Sequence, residues 1–183
     1  MLAVFIDPSI ELASRILGTL VFATALTGKV RHLDEWAGIV ANYRLAPDLF
    51  ARPLAGLVIT LEALVVLLLG AGLAPRVGAA LAICMLCVFA IAMTVNLLRG
   101  RTEIDCGCFQ SGLRQRLSVA LVVRNLLLVL VLSLSLGAAS RSLSFLQGLD
   151  GIGAGLVIFL LYETLGQILA LRSAVFVTHK GFG

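Results

Sequence analysis

Two cysteines separated by one glycine, Cys106-Gly107-Cys108, are the residues of this chain best suited to chemistry. Gly107 carries no Cβ and tolerates the backbone angles that so tight a pair demands. A disulfide closed over so few atoms is strained, and strained, exposed disulfides are the oxidising, exchangeable kind. The pair therefore reads as a redox dithiol. Two alternatives stay open: surface cysteines in a turn, and half of a metal site. Zinc needs about two further ligands, and nothing in the spacing of His32 or His179 brings them there, so no metal is expected. Reactivity follows the thiolate fraction. Arg101, Arg114 and Arg116 favour the thiolate, whereas Glu103 and Asp105 oppose it.

Further candidates sit in apolar runs. Cys84 and Cys87 are three apart and share a helix face, either as an in-membrane relay to the loop pair or as small hydrophobes. Cys87 stands eleven positions before Leu98, about 16 Å along a helix axis. Arg124 lies about 9 Å into its run. It either snorkels to the interface or stabilises a thiolate at Cys106 or Cys108. Asn125 beside it can bond a neighbouring helix. Glu62 and Glu163 fall near the middle of their runs, where a carboxylate is costly and therefore either paired or functional. Arg15 and Arg124 are the partners considered for them.

The elements that position these groups follow from composition. Of 183 residues, 60% are hydrophobic and 13% charged, against about 45–50% and about 25% in soluble domains. Too few polar side chains remain to cover a water-soluble surface. An ordinary globular enzyme, a disordered tail and a nucleic-acid-binding module are excluded, and four cysteines are too few for a secreted disulfide scaffold. A membrane-crossing helix needs about 20 apolar residues. The runs 53–73, 77–98, 118–139 and 152–171 meet that length, and 10–27 is a shorter fifth, with Glu11 and Arg15 in its first turns. None alternates in polarity as barrel strands must. The expected fold is all-α: one integral membrane domain, a polytopic bundle of five helices, or four if the first run does not cross.

The breaks are conventional. Gly28-Lys29 ends the first run, Gly70, Gly72 and Pro75 make a hairpin, and Gly137 to Gly151 separates the last two spans. Residues 99–117 form the cysteine loop. The segment 32–50 is too short and charged to cross, and Trp36 and Tyr43 suit an interfacial amphipathic helix. Gly151 and Gly155 form a small-xxx-small pattern for close helix packing. The chain start lacks the basic region of a cleavable signal peptide. With five spans, Lys29, Arg31, Arg44, Arg52, Arg99, Arg101, Arg114, Arg116, Arg172 and Lys180 fall on one face, and Arg76 and Arg141 on the other. Basic loops stay cytoplasmic. The expectation is a bacterial inner-membrane protein with its N-terminus outside and its C-terminus and cysteine loop inside.

Asp105-Cys106-Gly107-Cys108-Phe109, followed by Arg124-Asn125-Leu126-Leu127-Leu128, resembles the methylamine utilisation protein MauE family and its DoxX-like relatives. Glu62, in a helix opened by Pro53, resembles that family's second span; Gln110 stands where the family usually has glycine. The resemblance implies a DoxX-like bundle that acts in processing, transport or maturation of the methylamine dehydrogenase beta subunit. The implied partners are that disulfide-rich periplasmic subunit, a thioredoxin-like MauD-type protein and the bilayer, with no nucleic acid. Cys106 and Cys108 carry over as the redox pair and Arg124 as the motif arginine. Two other functions were weighed: a non-catalytic scaffold that docks the partner, and a quinone-linked thiol oxidoreductase, quinone being the one cofactor considered. An impermeant maleimide tests the orientation: label on the cysteine loop is expected from the cytoplasmic side alone.

Overall fold

The computed structural model describes residues 7–102, 104, 106, 116–136 and 144–180, with backbone alone from 169 onward. Helix α1 spans Pro8–Arg31. Asp7 caps it by accepting the Ser9 amide at 2.9 Å, and Pro8 occupies the first turn, where its missing N–H costs nothing. Helices α2 (Leu33–Asn42), α3 (Ala51–Gly70), α4 (Pro75–Leu98), α5 (Val119–Ser133) and α6 (Phe145–Lys180) follow, and a 3₁₀ turn at Leu134–Leu136 extends α5. Among the described residues, five helices are long and apolar enough to cross a membrane, the first of them included. The protein is a multi-pass membrane protein.

Its outer surface is hydrocarbon: Leu57, Leu67, Val88, Ile91, Leu127, Leu130 and Leu160 are each more than half exposed. In water that surface would be a liability; in lipid it is the solvated face. The interior is knit from Leu17, Val65, Leu69, Ala79, Ala82 and Leu132. Helix α1 is the hub, packed against α3 and α6, while α4 pairs with α5 and α3 with α4. Arg15 sets the α1–α3 register by donating to the Leu69 carbonyl at 3.1 Å. There it answers the partial negative charge at the α3 C-terminus. The next turn needs Gly72, whose φ is +66° and whose missing Cβ would meet the Arg15 guanidinium at 2.8 Å. The hydroxyls of Ser14 and Ser135 join α1 to the end of α5.

Two boundaries differ from expectation. Helix α1 continues through Gly28-Lys29, because Lys29 is buried rather than solvated and the helix has no reason to stop there. Helix α6 starts at Phe145, not after Gly151. Its glycines are a packing surface rather than a break. A Cβ on Gly151 would come within 2.9 Å of Leu12 Cβ and the Ser9 carbonyl, and one on Gly155 within 2.8 Å of Ile16 Cβ. The small-xxx-small expectation therefore holds. The interfacial segment forms α2, which folds back onto α3 and donates from Trp36 Nε1 to the Ala55 carbonyl at 3.3 Å.

Replacing Gly155 with valine should push α6 off α1 and cost about 1–3 kcal/mol, the usual penalty of overpacking. Thermal unfolding in detergent is expected to show a lower midpoint for Gly155→Val and an unchanged one for Gly153→Val, since nothing lies within 4 Å of a Cβ there.

Candidate functional site

Helices α1, α3, α4 and α5 alternate in direction, so the end of α1, all of α2, the start of α3, the end of α4 and the start of α5 meet at one end of the bundle. The cysteine loop leaves from that end. Its two sides are pinned together by the Leu117 amide donating to the Ile104 carbonyl at 3.1 Å. At its entry, Arg101 donates to Asn96 Oδ1 at 3.3 Å, while the Asn96 amide donates to the Ala92 carbonyl one turn earlier. Cys106 is thereby carried inward to pack with Met93, Leu117 and Leu121. The Tyr43 hydroxyl, at the end of α2, donates to the Cys106 carbonyl at 3.3 Å.

The sequence places both thiols at the membrane surface. Cys106 is instead only 3% exposed. Its side chain is small and apolar enough to fill the gap between α4 and α5. Cys108 lies outside the described residues. Cys84 is exposed toward the lipid-facing surface and Cys87 is half-buried, so the two do not present one common buried face.

Below the cysteine end, the bundle encloses polar groups. Lys29 and Glu62 form an ion pair, 6% and 1% exposed. The ammonium also lies 4.7 Å from the centre of the Trp36 ring and 5.5 Å from that of Phe89. Aromatic faces supply negative quadrupole where water cannot reach. Across the bundle, the buried Arg124 guanidinium lies 5.0 Å from the Tyr162 ring, and the half-buried Glu163 feels its charge. Asn125 is 3% exposed. Lys29, Glu62, Phe89, Arg124, Asn125, Tyr162 and Glu163, with Phe22, Thr24 and Leu86, line a cavity of about 40 Å³. Phe89 is shared: it packs against the Cys106 cluster and also lines the cavity. Among the described residues no three of His, Cys, Asp and Glu converge where a metal could sit.

The structure thus brings Glu62, Arg124, Asn125 and Glu163 to one cavity and leaves Cys84 and Cys87 outside it. Arg15, considered as a carboxylate partner, goes to the Leu69 carbonyl instead. Lys29 was missed, having been counted among the loop charges. Helical phase held the signal: Ser14, Leu17 and Val21 are buried at three- and four-residue spacing, and two further turns of that stripe reach Lys29.

Breaking this pair from one side leaves a charge stranded in a low-dielectric interior. Lys29→Met alone should destabilise the protein by about 3–5 kcal/mol, whereas Lys29→Met combined with Glu62→Leu should return close to wild-type stability. A double-mutant cycle of denaturant unfolding in micelles measures both.

The model of the family described as methylamine utilisation protein MauE matches residues 7–139. That range takes in α1 to α5, and therefore both the cysteine end and most of the cavity. A methylamine utilization protein MauE of Paracoccus denitrificans is 40% identical over 174 residues, covering 92% of this chain and 94% of the relative. One from Paracoccus versutus is 41% identical over 161 residues, covering 85% of each chain. One from Methylorubrum extorquens is 36% identical over 165 residues, covering 88% of this chain and 89% of its own. No solved structure matches. Such identity across nearly the full length, over a bundle with the Cys-Gly-Cys loop between its third and fourth spans, settles the assignment: this chain belongs to the methylamine utilisation protein MauE family.

Proposed function

We propose that this protein is a membrane factor of methylamine utilisation that handles thiol–disulfide exchange during processing, transport or maturation of the methylamine dehydrogenase beta subunit. It works with a thioredoxin-like, MauD-type partner at the bacterial inner membrane. The basic loops put its N-terminus outside and its C-terminus and cysteine loop inside, whereas the implied subunit is periplasmic, so exchange with that subunit requires either electrons to cross the bilayer through Cys84 and Cys87 or the reverse orientation. Family membership supports the pathway. The observation that carries the chemistry is the held position of Cys106, its carbonyl bound by Tyr43 and the loop entry and exit clamped by Ile104 and Leu117. A backbone held at Ile104, Cys106 and Leu117 limits the directions from which Cys106 can meet a partner's disulfide, which is what selective exchange requires.

In the exchange, a thiolate of the pair attacks one sulfur of the partner's disulfide and expels the other as thiolate. The second cysteine then attacks the mixed disulfide, closes the Cys106–Cys108 bond and releases the partner. The pair gives up two electrons, the partner's disulfide takes them, and the two protons pass to the partner's thiols. The reverse sequence oxidises the partner. Attack requires access, so loop and α2 must part before a buried Cys106 can react. Tyr43 is the contact that has to open.

A second reading, a scaffold that docks the partner without exchanging electrons, draws support from that same burial of Cys106. Substituting Cys106 and Cys108 with serine separates the two. Loss of mature beta subunit, together with loss of a trapped mixed disulfide to the thioredoxin-like partner, is expected. Unchanged accumulation of the subunit would remove the dithiol from the mechanism.

A further inference from the structure

The cavity between α1, α3, α4, α5 and α6 holds two buried polar atoms for which the described residues supply no hydrogen bond. One is Glu62 Oε2, the carboxylate oxygen that does not face Lys29; the other is Asn125 Nδ2. Both side chains are nine-tenths buried or more, and both line the cavity. In hydrocarbon, an acceptor and a donor left bare are each costly. A bundle that keeps both at one cavity must fill it.

Charge and size identify the occupant. Lys29 and Arg124 balance Glu62 and Glu163, so the lining is formally neutral and selects neither a phosphate nor a cation. A bare acceptor and a bare donor lining one cavity call for a neutral group that both donates and accepts. The volume of about 40 Å³ holds about three water molecules, at about 10–15 Å³ for each. A ring-sized ligand does not fit in it. We propose that this cavity is an internal hydration site, in which water accepts from Asn125 Nδ2 and donates to Glu62 Oε2. Few backbone approaches join α3 to α5, so the bridge supplies a polar link between two helices that otherwise meet through α1 and α4. The site adds to the exchange reading and does not depend on it.

Radiolytic hydroxyl-radical footprinting in lipid nanodiscs tests the proposal, because radicals born from bound water oxidise the side chains beside it. Phe22 lines the cavity and is buried, whereas Met93 is buried away from it. Methionine is intrinsically the more easily oxidised of the two, so oxidation at Phe22 with Met93 spared is expected. Asn125→Leu, which keeps the shape and removes the donor, should lower Phe22 labelling by about fivefold, the equivalent of about 1 kcal/mol of lost water binding. Phe22 as silent as Met93 in the wild type means a dry cavity and overturns the proposal. Phe22 labelling unaltered by Asn125→Leu overturns the bridge. Neither result bears on exchange at Cys106 and Cys108, which the serine variants read separately.

Discussion

An ammonium buried in a hydrocarbon-solvated bundle has to be matched, and the match between Lys29 and Glu62 constrains much of this molecule. Removing each ion from water costs several kcal/mol, recovered only with a close counter-charge and good local geometry. Helix α1 must run on past Gly28 to deliver Lys29 to the correct depth. Helix α3 must hold Glu62 at that level, which the Arg15 bond to the Leu69 carbonyl secures from the other end of the same pair of helices. Helix α2 must then turn back so that Trp36 covers the ammonium. Three elements are set by one ion pair.

The remaining helices divide the labour. On α6, Gly151 and Gly155 let backbone approach backbone against α1, which is how helices associate where lipid offers no hydrophobic penalty for separation. Helices α4 and α5 pack as a pair and present their joint end to the cysteine loop. Phe89 lies between the two chemistries, with Cys106 on one side and the charged cavity on the other. Cys106 and the polar interior below it are thus parts of one continuous packing arrangement rather than separate features.

Much of this organisation was legible in the residues. The apolar runs marked the five spans because a bilayer permits few alternatives to a fully hydrogen-bonded helix. Trp36 and Tyr43 marked α2, and Gly151 and Gly155 marked a close contact. Boundaries were less visible. Gly28-Lys29 looks like a helix stop, and the Gly137–Gly151 region looks like a linker, because glycine and charge carry those meanings when solvated. Here Lys29 and Gly151 face protein.

Sequence alone determined that the chain lives in a membrane and that four or five of its runs are long enough to cross, and it singled out the cysteines as the residues whose chemistry suits electron exchange. Those properties depend on local composition measured against a solvent of fixed thickness and polarity. Only the tertiary structure decided that Glu62 pairs with Lys29 rather than with an arginine, that Arg124 lies over Tyr162, and that Cys106 is turned inward. The physical reason is that pairing and burial depend on which helix faces meet and at what register. Both are set by close packing summed over the whole bundle, and no single run of residues contains them.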